Sequence, residues 1–209
     1  AAAVFLSLPL VGFNSMFITT DAPLLCFWCA ALWALSHAVQ TDRLSYWLLV
    51  GVCSGLGLMS KYSMAILLPS AALLLLWVPE YRYLFRRPGP YLGVLVAALI
   101  FLPNVLWNAA NDFVSLKHTA EISQLDRSSL NIAGLLEFVA AQLICLGPWF
   151  LWWLRPGTQK PGWHLERGYK FALMMSVCFF IVISTQALLS RANANWAAPG
   201  FAGIAMFLG

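Results

Sequence analysis

Long apolar runs recur along the whole chain, and they limit its fold more than any other feature. A helix that crosses a membrane needs about 20 predominantly apolar residues, and in lipid only helices and closed barrels satisfy every backbone polar group. Of the 209 residues, 61% are hydrophobic and 10% are charged, whereas a soluble domain is usually about 25% charged. The sequence therefore predicts an all-α, polytopic transmembrane helical bundle. About seven to eight spans are predicted, at residues 1–18, 24–40, 44–60, 62–79, 91–107, 132–154, 170–189 and 199–209.

No shift in composition divides the chain, so residues 1–209 are predicted to form a single transmembrane domain. The first run has no basic residues before it and no clear small-residue cleavage site after it, which argues against a cleavable signal. The sequence does not start with Met, and its last run, 199–209, is too short to span a membrane. We therefore expect a domain truncated at both ends. Its basic residues are not interleaved with polar sequence, so no nucleic-acid partner is expected.

The positions of Lys and Arg predict the orientation, because short cytoplasmic loops carry an excess of these residues. If the turn at 79–90 faces the cytoplasm, alternation of the spans places 40–43 and 155–170 there as well. The outer side then receives 19–23 and 108–131, which carry unusual polar groups, so a site at the outer face is predicted. The inner side would hold Arg43, Arg82, Arg86, Arg87, Arg155, Lys160, Arg167 and Lys170, and the outer side Lys61, Lys117, Arg127 and Arg191.

Asp21 is the carboxylate that most needs an explanation, since it lies in Thr19–Pro23 between two apolar runs. A charged side chain near the bilayer centre costs at least ~2.5–3.5 kcal/mol on insertion scales. Asp at a helix start with Pro in the first turn is also typical of a cap, and this alternative stays open. A cap alone does not require a cation on the same side, where Lys61 is predicted to lie. Asp21 is therefore a candidate base, cation ligand or partner of Lys61.

Lys61 is either a snorkelling interfacial lysine or a compact positive charge for a phosphate or for Asp21. The stretch 104–121 combines amide, carboxylate and imidazole groups with aromatic rings, which suits a sugar, although an ordinary outer loop is the alternative. Glu137, near the outer end of the sixth span, is either structural or site-lining. The candidate substrate-binding residues are Lys61, Tyr62, Asn104, Asn108, Asp112, His118, Glu137, Arg191, Asn195 and Trp196, and no metal site is predicted.

Several of these residues lie in segments that, in this order, resemble glycosyltransferase family 39. Bacterial members of this family look like dolichyl-phosphate-mannose protein mannosyltransferases and the aminoarabinose transferase of lipid A. Each segment alone is weak, but the ordered set covers essentially the whole chain. The matching segments are Thr19-Thr-Asp-Ala-Pro-Leu-Leu25, Gly55-Leu-Gly-Leu-Met-Ser-Lys-Tyr62, Pro103-Asn-Val-Leu-Trp-Asn108 through His118, Glu137-Phe with Gln142, and Asn195-Trp-Ala-Ala-Pro199.

The resemblance implies a fold of the GT-C type and an inverting glycosyltransferase in a bacterial inner membrane, with its site on the periplasmic side. The donor would be a polyprenyl-phosphate sugar, mannose-like or another hexose or pentose, and the acceptor a hydroxyl of a protein or glycolipid. The resemblance names no cofactor and leaves a divalent cation open. The family's principal catalytic acid lies in the first outer loop, which we expect to precede this sequence. Asp21 would then support catalysis, and Lys61 would face the lipid phosphate or the acidic cluster.

Two other classes of protein remain open. In a transporter or permease, Asp21, Lys61 and Glu137 would lie on an ion path, and repeat symmetry with broken spans near the midplane would be expected. The sequence has no convincing internal repeat, and its charges gather towards one face. A non-catalytic membrane scaffold would have no cavity around Asp21. The transferase interpretation predicts one cavity bounded by Asp21, Lys61, residues 104–118 and Arg191.

Overall fold

The computed structural model describes residues 2–14, 19–124, 130–147 and 165–208, and in these ranges every regular element is a helix. The predicted all-α class is confirmed. The chain forms two compact units, residues 19–116 and residues 1–18 with 117–209. The α-helices are α1 (Ala2–Leu6), α2 (Pro9–Asn14), α3 (Asp21–Thr41), α4 (Leu44–Ser60), α5 (Leu67–Trp77), α6 (Pro88–Ala110), α7 (Val114–Ser123), α8 (Ile132–Leu146), α9 (Leu165–Leu189) and α10 (Gly200–Leu208). Short 3₁₀ helices cover Tyr62–Ile66, Pro79–Arg86 and Ala194–Ala197.

Helix α3 forms the interior of the unit of residues 19–116. Trp28, Leu32 and Leu35 recur at helical spacing on one face, and each is at most 2% exposed. Helix α6 differs, because only 11% of its most apolar stretch is buried, compared with 50% for that of α3. Its leucines at 95, 99, 102 and 106 are exposed at the same spacing. Such an apolar face suits lipid, so α3 is an inner helix and α6 a peripheral one.

Glycines let α4 and α6 approach closely. A Cβ atom at Gly51 would meet the carbonyl oxygen of Gly93 and would lie 2.9 Å from the Cβ of Val96. One at Gly55 would lie 2.7 Å from the Cβ of Ile100. Small residues at a helix interface are typical of membrane bundles, where association depends on close packing and not on expulsion of water. These contacts assign a packing role to the glycine-rich face of α4.

A tight turn and an ion pair lie at the end of this unit where α3 is followed by α4. Asp42 ends α3 with a left-handed backbone, φ 50°, and its Oδ2 accepts a hydrogen bond from Nε of Arg87 at 2.6 Å. Arg87 immediately precedes α6. In the sequence between Asp42 and Arg87, the helical segment Tyr62–Trp77 is followed by Pro79–Arg86 at a bend of 118°. The chain therefore reverses within short connections at this end, as the sequence predicted.

In the other unit, α8 and α9 lie side by side. The backbone N–H of Asn131 donates to the carbonyl oxygen of Leu188 at 2.7 Å, so the start of α8 adjoins the end of α9. The Asn131 side chain caps α8 by accepting a hydrogen bond from the N–H of Gly134 at 2.8 Å. Helix α10 also packs on α9, with the rings of Phe180 and Phe201 in an edge-to-face contact at 5.2 Å.

By length and composition, three helices of the described residues can cross a membrane: Asp21–Thr41, Pro88–Ala110 and Arg167–Leu189. The bent pair Tyr62–Trp77 and Pro79–Arg86 gives a fourth if it is one broken span. The prediction of seven to eight spans was larger because it counted shorter apolar runs. Of these, α4 and α8 are helices of 17 and 15 residues, and the run 1–18 is divided between α1 and α2.

Some predicted features fall in segments that the structure does not describe. They are residues 15–18 of the first predicted span, residues 148–154 of the sixth, and the basic residues Arg127, Arg155 and Lys160, all outside the described residues. The predicted outer connection 108–131 is described at residues 108–124 and 130–131, and much of it is helical. Helix α6 continues to Ala110, three turn residues follow, and Val114–Ser123 is helical. Polar composition had suggested a loop, whereas the segment forms a helix–turn–helix.

Candidate functional site

Asp21 lies in the first turn of α3 and is 4% exposed. The sequence placed it in a connection before a span starting at residue 24, but the helix begins at Asp21 itself. The N-cap position belongs to Thr20, whose side chain makes no capping hydrogen bond. A carboxylate in the first turn is stabilised by the partial positive charge of the helix N-terminus. The fold therefore holds a buried acid at this end of α3.

Lys61 lies where α4 ends and the 3₁₀ helix Tyr62–Ile66 begins. Its backbone is extended, with φ −160° and ψ 132°, and its N–H closes the last turn of α4 by donating to Gly57. The ammonium Nζ lies 2.5 Å from Oδ1 of Asp21. This distance makes the contact a direct, charge-assisted hydrogen bond. The predicted pairing of Asp21 and Lys61 on one side of the bundle is therefore present in this structure.

The two side chains of this ion pair differ in their solvent exposure. The side chain of Asp21 is 5% exposed and that of Lys61 is 25% exposed. Removing one member of a buried pair usually costs about 3–5 kcal/mol, because the other charge stays buried without compensation. An ammonium has three N–H donors. The pair thus fixes the position of a lysine that remains partly accessible.

A hydrogen-bonded chain of polar side chains begins at the next residue, Tyr62. Its hydroxyl donates to Oδ1 of Asn104 at 3.3 Å. The Nδ2 of Asn108 donates to the backbone oxygen of Asn104 at 3.0 Å and to its Oδ1 at 3.1 Å. Asn108 is 2% exposed. Three predicted binding residues, Tyr62, Asn104 and Asn108, therefore lie together, but largely bonded to one another.

Asn108 also shapes the turn that joins α6 and α7. Its Oδ1 accepts a hydrogen bond from the N–H of Ser115 at 3.1 Å, and its backbone oxygen accepts one from Phe113 at 2.7 Å. Asp112 and Phe113 both have left-handed backbones, with φ 52° and 55°. Such conformations are unfavourable for residues other than glycine and persist where surrounding contacts hold them. Asn108 is thus a structural residue of this turn, and Asp112 is exposed at its tip.

Replacement of Asn108 should test this role. Asn108→Leu keeps a similar volume but leaves the N–H of Ser115 and the groups of Asn104 without this partner. We expect destabilisation of about 1–3 kcal/mol, seen as a lower thermal unfolding midpoint of the purified protein in detergent. The matched control is Asn111→Ala, whose side chain is exposed and donates to Trp107, and it should change stability by less than about 0.5 kcal/mol. Equal effects of the two variants would contradict the assignment.

The remaining predicted binding residues belong to the other unit. His118, Glu137 and Arg191 are exposed, and Asn195 and Trp196 are half-buried. Their arrangement around the same cavity as Asp21 and Lys61 stays a prediction. Among the residues that the structure describes, no group of three or more His, Cys, Asp or Glu side chains could hold a metal ion.

The segment after α9 runs back along α8. At its start, Nδ2 of Asn131 donates to the carbonyl oxygen of Ser190 at 3.1 Å. At its end, Nε2 of Gln142 donates to the carbonyl oxygen of Ala194 at 3.2 Å. On α8 these two side chains are separated by about 16 Å at 1.5 Å per residue. Residues 191–193 therefore run along α8 from its start towards Gln142.

The start of α10 lies beside Phe180 of α9. Phe201 contacts Phe180, and a Cβ atom at Gly200 would lie 2.9 Å from the Phe180 ring. Phe180 precedes the end of α9 at Leu189 by about 13 Å of helix. The chain therefore covers this distance after α9 without a regular α-helix. Only the 3₁₀ helix Ala194–Ala197 interrupts the irregular segment.

Gln142 is a further candidate site residue. It belongs to the segments that carry the family resemblance but was not among the predicted binding residues. The residue is 8% exposed, and its Nε2 also approaches the backbone oxygen of Phe138 at 3.4 Å. Its Oε1 is buried with no hydrogen-bond partner among the described residues. The sequence feature that could have identified Gln142 as a site residue is its amide side chain inside an otherwise apolar run.

Comparison with known proteins decides the family. The family model described as dolichyl-phosphate-mannose-protein mannosyltransferase matches residues 1–107, about half of the chain. The chain belongs to this family. The match includes Asp21, Lys61, Tyr62 and Asn104, so the ion pair and the start of the polar chain lie within the matched region. The sequence-based resemblance is confirmed.

Curated relatives extend the likeness beyond residue 107. A lipid A galacturonosyltransferase of Rhizobium johnstonii is 30% identical over 95% of this chain and 42% of that protein. The undecaprenyl phosphate-alpha-4-amino-4-deoxy-L-arabinose arabinosyl transferase 2 of Proteus mirabilis is 28% identical over 87% of the chain and 34% of its own length. The corresponding transferase 1 of Sodalis glossinidius is 29% identical over 80% and 31%. The chain thus spans about two fifths or less of these relatives, and no solved structure matches it.

Proposed function

We propose that this chain is part of a membrane glycosyltransferase that moves a sugar from a polyprenyl-phosphate donor to an acceptor hydroxyl at the non-cytoplasmic face. The observation that carries the proposal is the ion pair between Lys61 and the buried Asp21 in the region matched by the family model. Names of the relatives support the donor class, since two of them refer to undecaprenyl phosphate-linked aminoarabinose.

In this proposal Lys61 binds the phosphate of the lipid-linked donor. One oxygen of Asp21 engages the ammonium, and the lysine retains further N–H donors and a quarter of its side-chain exposure. As the sugar leaves, negative charge grows on the phosphate, and a cation fixed beforehand stabilises that charge without reorganising. Asp21 holds the lysine in place and supports catalysis. The proton of the acceptor hydroxyl is taken by another carboxylate of the complete protein.

The acceptor in this proposal is a glycolipid, and the sugar is a hexose or a pentose. The Rhizobium relative is named for lipid A and galacturonic acid, and the others for aminoarabinose. A mannose donor and a protein acceptor, which the family description names, are the second choice. The inner membrane of a bacterium, with the site facing the periplasm, is the proposed location. No metal ion is assigned a role.

A reconstituted transfer assay tests this function. The full-length protein, in liposomes, would receive undecaprenyl phosphate carrying galacturonic acid, 4-amino-4-deoxy-L-arabinose or mannose, together with lipid A or an acceptor protein. We expect mass spectrometry to detect one sugar residue added to lipid A and release of undecaprenyl phosphate from one of these donors. Donors that all stay intact with every acceptor would contradict the proposal.

One observation favours a transporter as the second candidate. The irregular segment between α9 and α10 resembles the broken spans that line transport pathways. Liposomes loaded with the lipid-linked sugar on one leaflet separate the two functions, because a transporter would move the donor across the membrane without cleaving its glycosyl phosphate bond. Translocation without cleavage would favour this candidate.

A further inference from the structure

The irregular segment between α9 and α10 requires a polar environment. Within the described part of the chain, neither Arg191 nor Ala192 makes a backbone hydrogen bond. Arg191 is exposed, and Ala192 and Asn193 are half-buried. Non-helical backbone at membrane depth is tolerated only where protein buries it or where it lines a water-filled cavity. Because the described residues do not fully bury them, we expect water or a polar ligand to reach them.

Gln142 places a hydrogen-bond acceptor at the inner end of the same segment. Its Nε2 faces two carbonyl oxygens, those of Phe138 and Ala194, and this fixes the orientation of the amide. The Oε1 atom is then the one left without a donor among the described residues. A buried acceptor without a partner is unfavourable. A group from outside the protein should therefore donate to it.

We propose that Gln142 and residues 190–194 line a water-filled cavity that binds a hydroxyl group of a sugar. The binding group must be a donor, because an amide oxygen only accepts hydrogen bonds. A phosphate diester has no proton to offer, so Oε1 recognises the sugar and not the lipid phosphate. This inference rests on the proposed function for the identity of the ligand. The hydroxyl comes either from the sugar being transferred or from the acceptor.

Cysteine accessibility tests the cavity independently of activity. In full-length protein with its native cysteines replaced by alanine, Ala192→Cys and Ile181→Cys would be treated with a charged, membrane-impermeant thiol reagent. Ile181 lies on α9, within a candidate membrane span, and is 59% exposed, so it serves as an exposed apolar control. Only a thiol in contact with water forms the reactive thiolate readily, so we expect Ala192→Cys to react at least about tenfold faster. Equal rates would overturn the cavity, whether or not the protein transfers sugar.

Kinetics then identify the ligand. Gln142→Met should raise KM by about three- to tenfold for the substrate whose hydroxyl it holds, with little change in kcat. A rise for the lipid-linked sugar assigns the hydroxyl to the donor, and a rise for lipid A assigns it to the acceptor. Ser176→Ala, at another buried polar side chain without a partner among the described residues, is the control and should leave both KM values unchanged. The same substrate should slow labelling of Ala192→Cys. Unchanged KM values for Gln142→Met together with unprotected labelling would overturn sugar binding.

Discussion

Lys61→Met is expected to lower sugar transfer by about 100-fold or more, the usual cost of losing a fixed charge that stabilises a transition state. The same change should destabilise the protein, since Asp21 is 5% exposed and would lose the ammonium of Lys61. About 3–5 kcal/mol is typical for breaking such a pair. Transfer from the lipid-linked donor and the thermal unfolding midpoint in detergent measure the two effects.

A double variant separates catalysis from folding. Asp21→Asn combined with Lys61→Met removes both charges, and replacing both members of a buried pair is often close to neutral for stability. We therefore expect the double variant to unfold near the wild-type temperature and still to be inactive. Full activity in this variant would show that the pair is only structural. Recovery of stability without activity is the result that assigns the pair of Asp21 and Lys61 to the reaction.

The second large effect is expected from the contact between α4 and α6. Gly51→Leu would drive a side chain into the backbone of Gly93 and the Cβ of Val96, and neither can move away without separating the helices. Overpacking typically costs about 1–3 kcal/mol, and a backbone obstacle places this variant at or above the upper end. The measurement is the fraction of folded, monodisperse protein extracted from membranes, together with its thermal unfolding midpoint.

Two glycines provide matched controls for this variant. A Cβ atom at Gly12 has nothing within 4 Å, so Gly12→Ala should leave the unfolding midpoint unchanged or raise it slightly. At Gly57 the neighbour is the flexible side chain of Met64, at 2.7 Å, and Gly57→Ala should have a smaller effect than Gly51→Leu. An unfolding midpoint of Gly51→Leu equal to that of Gly12→Ala would contradict the close packing of α4 and α6.

The pairing of Asp21 and Lys61 could be predicted because it depends on two strong signals. Charged residues are rare within apolar runs, and counting the spans between them predicts which ends share a side of the membrane. This reasoning needs no knowledge of loop conformation. The all-α class follows equally directly, since the apolar runs leave little alternative in a bilayer.

The connections were harder to predict, because short-range hydrogen bonds decide their conformation. Polar composition suggested a loop after Asn108, but the Asn108 side chain caps a turn and a new helix follows. The apolar run predicted from residue 199 does form a helix, Gly200–Leu208, but composition did not show that the preceding residues run along α8 without a regular α-helix. Both outcomes depend on contacts between residues that are distant in the sequence or on the special backbone of Asp112 and Phe113.

Binding of undecaprenyl phosphate tests the central claim most directly. The full-length protein in nanodiscs would be titrated with this lipid, and the wild type compared with the stable double variant Asp21→Asn with Lys61→Met. Arg43→Met, which removes an exposed cation from the predicted cytoplasmic end, is the control. We predict that the double variant binds about tenfold or more weakly, consistent with the loss of a charged hydrogen bond of about 1.5–3 kcal/mol, and that the control binds normally. Equal affinity of the wild type and the double variant would contradict a phosphate site at Lys61.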